Sequence, residues 1–190
     1  MAFAAMMILP AFAASAAVID FDQATLGTHT NYVEDGFVFD KLRVFRASCA
    51  NKASKPCGAE NAFRDTTMKR VDGGAFHLKS LWFSIISTAS PFKLVTDKGS
   101  MTFALGDMLD SALVQVNEGY VANLADNAIF EHINFLKIVD LSLGAEGTGR
   151  ARGNLRFDDL DVAPVPLPAA GVLLIAGLGG FALVRRRKQV

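Results

Sequence analysis

The chain has 190 residues, a length typical of one domain with short additions. About half of the residues (51%) are hydrophobic, 20% are charged, and the mean hydropathy is +0.29. This composition excludes a disordered chain, and the equal numbers of basic and acidic residues (19 each) argue against a nucleic-acid-binding protein. All acidic residues lie between Asp20 and Asp161, whereas four basic residues are concentrated in Arg185–Lys188. Two apolar ends therefore flank a mildly acidic central domain.

The N-terminal segment, residues 2–17, carries no charge. A membrane-spanning helix needs about 20 apolar residues, so this shorter segment predicts a secretory signal peptide over residues 1–16, removed after export by the Sec machinery. Pro10 breaks a helix, and Ala11–Ala13 and Ala14–Ala16 both have the small-residue spacing that signal peptidase cleaves. The alternative is a buried N-terminal helix. Because no Lys or Arg precedes the apolar segment, the true start codon is also open.

The central domain, residues 17–163, contains short apolar segments with alternating hydrophobicity. Seven segments have this strand-like pattern: Phe37–Phe45, Ala75–Ile86, Pro91–Thr96, Ser100–Leu105, Ala112–Val116, Ile133–Leu143 and Asn154–Val162. Turn signals separate them: Asp35-Gly36, Asp72-Gly73-Gly74, Asp97-Lys98-Gly99, Glu118-Gly119 and Gly144–Gly153. The pattern predicts an all-β domain, a β-sandwich. A short helix over Asp107–Leu113 is the alternative for that segment.

Alternation also predicts which side chains share a face. In the first strand, Phe37, Phe39, Arg43 and Phe45 are expected on one face, and Val38, Leu42 and Val44 on the other. The chain has 15 Phe but one Trp and two Tyr, which indicates a core filled by Phe. Trp82 is therefore expected in the core, although Trp82, Tyr32 and Tyr120 are the residues that could stack on sugars if exposed.

The C-terminal region predicts a membrane segment. Ala163–Pro168 contains three prolines and is expected to be extended. Residues 169–184 are uncharged, and as a helix they would span about 24 Å at 1.5 Å per residue, slightly less than the roughly 30 Å hydrocarbon core. The basic residues that follow would stop transfer and stay on the cytoplasmic side: Arg185, Arg186, Arg187 and Lys188.

This tail closely resembles the VPLPA-CTERM variant of the PEP-CTERM sorting signal over residues 164–190. The motif consists of Val165, Pro166, Leu167, Pro168 and Ala169, and the apolar helix (residues 169–184) and Arg cluster follow it. The resemblance implies processing by exosortase, a membrane-embedded cysteine transpeptidase of Gram-negative bacteria often linked to exopolysaccharide and biofilm matrix. The precursor would be held transiently in the inner membrane, and the product would reach the cell surface or the extracellular space. A permanent single-span anchor is the alternative.

The central domain also resembles the domains that usually precede such tails. The features that carry this resemblance are Ile19–Asp22, Tyr32–Phe37, Gly74–Leu81 and Phe157–Val162. They look like a jelly-roll of the carbohydrate-binding-module or galactose-binding-like type. The resemblance implies this fold and nothing more specific.

The two cysteines, Cys49 and Cys57, predict a disulfide. They lie eight positions apart in an exported chain, and an oxidising compartment favours the bond. Its loop would stabilise the fold by about 2.5 kcal/mol in the chain-entropy model. No further ligand follows a zinc spacing. Two free thiols are the alternative.

No catalytic motif is present. His29, His77 and His132 are isolated, and the sequence contains neither H-E-x-x-H nor G-x-S-x-G. The glycines of Gly144–Gly153 lack the lysine of a phosphate-binding loop. We therefore expect a protein that is not an enzyme. An exported hydrolase would need two carboxylates about 5 Å apart, as in a retaining glycosidase.

No cofactor is required, but carboxylates at the two ends of the domain form a candidate structural Ca²⁺ site. Asp20 and Asp22 lie at the start of the predicted mature chain, in its first strand, and Asp158 and Asp159 belong to the last strand. First and last strands of a jelly-roll often lie side by side, which would bring these oxygen ligands together. Asp20 and Asp22 are expected on one strand face, with Asp158 opposite to Asp159. The alternative is a set of solvated charges on edge strands.

The sequence therefore predicts an exported, non-enzymatic protein of the cell surface or extracellular matrix. The alternative function is a carbohydrate-binding module for exopolysaccharide. The exposure of Trp82 discriminates between the two.

Overall fold

A computed structural model describes residues 16–45, 57–59, 65–85, 91–103, 113–116, 119–141 and 155–165. Twelve strands and one 3₁₀ turn, Ala128–Phe130, lie within these ranges. The strands are β1 (Ala17–Ile19), β2 (Gly27–Glu34), β3 (Phe37–Phe45), β4 (Cys57–Ala59), β5 (Asp65–Arg70), β6 (Phe76–Ile85), β7 (Phe92–Thr96), β8 (Gly99–Phe103), β9 (Leu113–Val116), β10 (Gly119–Asn123), β11 (Leu136–Asp140) and β12 (Leu155–Pro164).

The strands form two antiparallel sheets. One has the order β2-β3-β5-β11-β7-β8, and the other has the order β1-β12-β6-β10-β9. The short strand β4 pairs with both β3 and β12 and so joins the two sheets at one edge. This arrangement confirms the predicted all-β, sandwich-like fold.

Phenylalanine side chains fill the space between the sheets. Phe39 of β3 stacks on Phe157 of β12 with ring centroids 6.4 Å apart, and Phe83 of β6 contacts Phe92 of β7 at 4.6 Å. Burying one such side chain stabilises a fold by about 1.5–3 kcal/mol. Trp82 is also buried, with 1% of its surface exposed. The expectation of a core filled by Phe is confirmed, whereas Trp82 is buried but does not belong to the hydrophobic core cluster.

Strand β3 departs from the simple alternation that the sequence predicted. Phe37 and Phe39 are buried, but the buried positions then change to Leu42 and Val44, while Arg43 is exposed. The prediction that Phe37 and Phe39 lie on the face opposite Leu42 and Val44 was therefore wrong, because all four belong to the core cluster. Asn31, which lies between two paired residues of β2, has a positive φ of 56°. This local left-handed conformation coincides with the point where the alternation in β3 changes phase.

A similar change occurs in β12. The pairing with β6 shifts between Asp158 and Asp161, and Asp159 has a φ of 45°. Such a bulge inserts an extra residue and reverses the alternation. Leu155 and Phe157 are buried before the bulge, and the buried positions after it are Leu160 and Val162.

The predicted strands and turns lie close to the observed ones. All seven of these predicted strands are present, with ends shifted by at most a few residues, but β2, β4, β5 and β10 were not predicted. The first strand, expected at Asp20–Asp22, is β1 and ends at Ile19. Asp35 and Gly36 form the β2–β3 turn with φ values of 46° and 80°, as a two-residue hairpin turn requires. The predicted helix at 107–113 and the loop at 144–153 lie outside the described residues, apart from Leu113, which begins β9.

Candidate functional site

The feature closest to the predicted sorting motif is the end of β12, where the chain leaves the sheet. Pro164 is the last residue of the strand and pairs with Phe76. Val165, the first residue of the motif, donates its backbone N–H to the Ala75 carbonyl oxygen at 3.0 Å. Pairing of β12 with β1 has ended at Val162. Pro164 has no N–H to donate, and among the described residues the β1 pairing of this edge does not reach it.

The turn that receives Val165 is held by side chains; we call residues 71–75 the exit turn. The Arg70 guanidinium donates Nη1–H to the Ala75 carbonyl oxygen at 3.0 Å and forms an ion pair with Asp72. Asp72 Oδ1 also accepts the backbone N–H of Gly74 at 2.9 Å. The Ala75 oxygen therefore has two donors, one from β12 and one from Arg70.

A shallow pocket lies beside the exit turn. It has a volume of about 220 Å³ and is lined by Asp35, Gly36, Phe37, Arg70, Val71, Asp72 and Pro164. Pockets for small molecules commonly enclose about 300–1,000 Å³. Val71 beside it is 61% exposed. The pocket is smaller than this range, and it borders Pro164, the residue that precedes the motif.

The start of the domain is held in a different way. Strand β1 pairs with β12, with Ala17 opposite Val162 and Ile19 opposite Leu160. After β1, the backbone N–H groups of Asp20 and Phe21 both donate to Glu34 Oε1 at 3.2 Å. The hydroxyl of Tyr32 donates to Glu34 Oε2 at 2.7 Å. We call these four residues the Glu34 clamp.

Burial shifts the titration of the Glu34 clamp. Partial burial raises the pKa of Glu34 above its ordinary value of 4.5, although the hydrogen bonds from Tyr32, Asp20 and Phe21 oppose this rise. Burial, and then the hydrogen bond to Glu34, raises the pKa of Tyr32 well above its ordinary value. The clamp was not predicted, because Ile19–Asp22 and Tyr32–Phe37 were interpreted only as features of a jelly-roll, and their contact arises from the fold.

The candidate calcium ligands are brought near one another only in part. Asp20 directly follows Ile19, and Asp159 directly precedes its partner Leu160, so their backbones are neighbours. Asp20 and Asp22 do not share a strand face as predicted, since β1 ends at Ile19, Phe21 has a φ of 53°, and the Asp22 N–H donates to Asp20 Oδ1 at 3.0 Å.

Asp158 lies in register with Trp82, and only 5% of its surface is exposed. Within the described ranges, no group of three or more His, Cys, Asp or Glu residues is arranged to hold a metal ion. Calcium binding therefore stays a prediction, and Asp20 and Asp159 are the candidate ligands whose backbones are neighbours.

The cysteines and histidines are consistent with structural roles. Cys57 is fully buried in β4, and the described chain contains no free cysteine. Its predicted partner Cys49 lies outside the described residues, so the pairing stays a prediction that non-reducing peptide mapping would test. His77 lies in β6 as predicted and hydrogen-bonds the Ala125 carbonyl oxygen at 3.1 Å. His29 hydrogen-bonds the Thr25 carbonyl oxygen at 2.7 Å.

The aromatic candidates for sugar stacking are not exposed platforms. Trp82 packs so closely on Gly119 that a Cβ there would lie 2.4 Å from its ring. Tyr32 is half-buried and has its ring against Phe21, with centroids 5.9 Å apart. Tyr120 is half-buried beside Phe83, at 5.9 Å.

Residues 1–15 of the predicted signal peptide, Pro166–Ala169, the apolar segment 169–184 and the basic residues Arg185–Lys188 lie outside the described residues. The part of the chain that the structure describes contains no helix long and apolar enough to cross a membrane. No protein-family model matches the chain, and a comparison with curated proteins finds no relative.

Proposed function

We propose that the chain is an exported, non-enzymatic protein of the cell surface or extracellular matrix, and that its tail is a VPLPA-CTERM-like sorting signal processed by exosortase. The observation that carries the proposal is the order of motif, apolar segment and Arg cluster over residues 164–190. The signal-peptide pattern at the other end supports the same route, because it supplies export before sorting.

The geometry where β12 ends is compatible with this route. The sheet pairing continues to Pro164, and Val165 makes the last hydrogen bond to the sheet. The folded domain therefore reaches the first residue of the motif, and processing beyond Val165 would release the whole domain. For this domain we propose the jelly-roll class, which the side-by-side pairing of β1 and β12 supports.

Intact-mass analysis of the exported protein from a host that encodes an exosortase tests the proposal. We expect a chain that ends within or next to Val165–Ala169. A surface form that still ends at Val190 would mean a permanent anchor and would refute the sorting proposal.

The Pro166→Ala/Pro168→Ala variant should leave the precursor in the inner membrane, because the motif loses its enforced extended backbone. The matched control is Pro164→Ala, which removes a proline one residue before the motif and leaves the motif intact. If both variants are processed like the natural sequence, the prolines are not what the enzyme recognises.

Binding of exopolysaccharide is the alternative function, and the buried position of Trp82 removes its best platform residue. A glycan-array test of the exported domain separates the alternatives. We expect no glycan bound above background; a specific glycan retained by the array would favour the carbohydrate-binding module instead.

A further inference from the structure

We propose that the exit turn is a latch on the sorting motif: it holds Val165 in the sheet, and this strand end must open before the motif is processed. The inference rests on the proposed function, because a latch at this position acts only on a motif that is processed. The latch would be a regulatory contact inside the domain, whereas exosortase recognises the motif outside the domain.

The latch acts on Val165, which is hydrogen-bonded to the sheet and is also the first residue of the motif. Val165 is hydrogen-bonded to Ala75, and the two residues before it are paired, Ala163 with His77 and Pro164 with Phe76. Proteases act on backbone that has left its secondary structure, through local opening that exposes several residues. An enzyme that cuts just beyond Val165 therefore competes with this pairing for the same backbone.

The receiving side of the latch is fixed in place. The backbone N–H and carbonyl of Phe76 are both hydrogen-bonded to Ile133, at 2.9 and 2.8 Å, so Ala75 is attached to a rigid neighbour. Arg70 then supplies a second donor to the Ala75 oxygen, and its ion pair with Asp72 orients the guanidinium. Opening at Val165 is thus governed by the geometry of the exit turn.

The contacts that orient the turn are partly open to water, which makes the latch weak. The Arg70 and Asp72 side chains are 16% and 60% exposed. Exposed ion pairs contribute little to global stability. A contact of this kind can be opened by a binding partner without unfolding the domain.

Gly74 gives an independent way to disturb the latch. A Cβ at this position would lie 2.9 Å from Arg70 Nη1 and 3.1 Å from Asp72 Oδ1. Gly74→Ala therefore displaces the Arg70–Asp72 pair without removing either charge. Arg70→Ala instead deletes the donor to Ala75. Gly74→Ala keeps both charges and Arg70→Ala removes one, so an effect common to the two variants arises from the disturbed exit turn.

The experiment follows the full-length precursor in the exporting host by pulse-chase and intact mass. Amide hydrogen exchange at Val165 is measured on the same full chain in detergent. Arg70→Ala and Gly74→Ala should each increase both the exchange rate and the initial processing rate by about fivefold, the factor that corresponds to one net hydrogen bond. Lys69→Ala, which removes an exposed charge from the neighbouring position, should change neither rate.

A second control separates the latch from general instability. Ile138→Val truncates a buried side chain in β11, at a position in register with Thr66 and not with Arg70, and should lower the melting temperature without faster processing. If it accelerates processing as much as Gly74→Ala does, instability explains the effect and the latch is refuted.

The remaining outcomes distinguish the two proposals. If the natural chain is shortened but the Arg70 and Gly74 variants are processed at its rate, the latch proposal fails and the proposed function stands. Unchanged exchange at Val165 in both variants refutes the latch as well. If the natural chain is never shortened in this host, the sorting proposal fails, and the latch fails with it.

Discussion

The domain begins with β1 and ends with β12, and these two strands pair with each other. Different contacts hold the chain beside them: the Glu34 clamp after β1, which we call the entry, and the exit turn with Val165 after β12, which we call the exit. At the entry, Glu34 collects three donors in a partly buried position after β1. At the exit, Ala75 receives Val165 through a turn that is oriented by a partly exposed ion pair. Disturbing Glu34 would leave three donors without their acceptor, whereas the exit pair includes Asp72, which is 60% exposed, and exposed ion pairs are cheap to open. The difference indicates that the entry is held more firmly than the exit.

The largest expected effect is at the entry. Phe21 is fully buried, and its ring contacts Phe39 and Phe157 at centroid distances of 5.5 and 5.8 Å. Phe21→Ala should lower the free energy of unfolding by about 3–5 kcal/mol, through lost burial and the cavity left behind. Denaturant unfolding measures this. Val71→Ala, at the exit, is the comparison, and a similar loss there would contradict the distinction between the two regions.

Removal of the Glu34 carboxylate comes next. Glu34→Ala leaves the Asp20 and Phe21 amides and the Tyr32 hydroxyl without their acceptor, and unfolding should become easier by about 1–3 kcal/mol. Asp35→Asn, at the neighbouring exposed turn position, removes an equal charge, tolerates the positive φ there and is the control. Equal losses in the two variants would mean that net charge, not the clamp, determines the result.

The pH dependence of stability tests whether the pKa of Glu34 is raised in the folded protein. Because the folded protein retains the Glu34 proton to higher pH than the unfolded chain, its contribution is full below about pH 4.5 and declines as pH rises through the folded pKa. Glu34→Gln cannot ionise and lacks this decline. The natural chain's stability relative to Glu34→Gln should therefore fall as pH rises from about 4.5 through the folded pKa. A difference that stays constant or grows with pH in denaturant titrations would rule out the raised pKa.

How much of this could be predicted from the sequence depends on the range of the interactions. Strand β3 was predicted with its observed ends, because Phe37–Phe45 lies between clear turn signals. Its face assignment was wrong, since the change of phase at Leu42 coincides with a left-handed Asn31 on another strand. Alternation is a local pattern, and it cannot show a change that arises between strands.

The same limit applies to the candidate site: contiguous residues could be recognised from the sequence, whereas contacts between distant residues could not. The sorting motif was recognised because its residues are contiguous. Asp72-Gly73-Gly74 predicted a turn, but not that Arg70 and the turn would receive Val165 from a strand more than eighty positions later. Strand β2 was missed because its exposed threonines, asparagine and histidine show no apolar alternation. The Glu34 clamp depends on that strand and was missed with it.

Global stability should respond only slightly to the exit ion pair. Asp72→Asn keeps an acceptor for the Gly74 N–H but loses the charge that pairs with Arg70, so unfolding should change by no more than about 0.5 kcal/mol. The same denaturant measurement applies. A loss as large as that of Glu34→Ala would show that the exit is as firmly held as the entry.

Calcium is expected to have a small effect, because only Asp20 and Asp159 have neighbouring backbones. A site of millimolar affinity, at tenfold excess of ion, would stabilise the fold by about 1.4 kcal/mol. Thermal unfolding with and without Ca²⁺ measures this, and Asp159→Ala should abolish the shift. An unchanged melting temperature at millimolar Ca²⁺ would leave these carboxylates as solvated charges.

The pairing of β1 with β12 also has a consequence for how the chain could be rewired. Ala17 and Val162 are direct partners, so the first and last strands of the domain can be joined by a short flexible connector. New termini could then be opened in the exposed β7–β8 turn at Asp97–Lys98. Such a circular permutant would retain every pairing described above, while its Val165 would no longer lead to a tail.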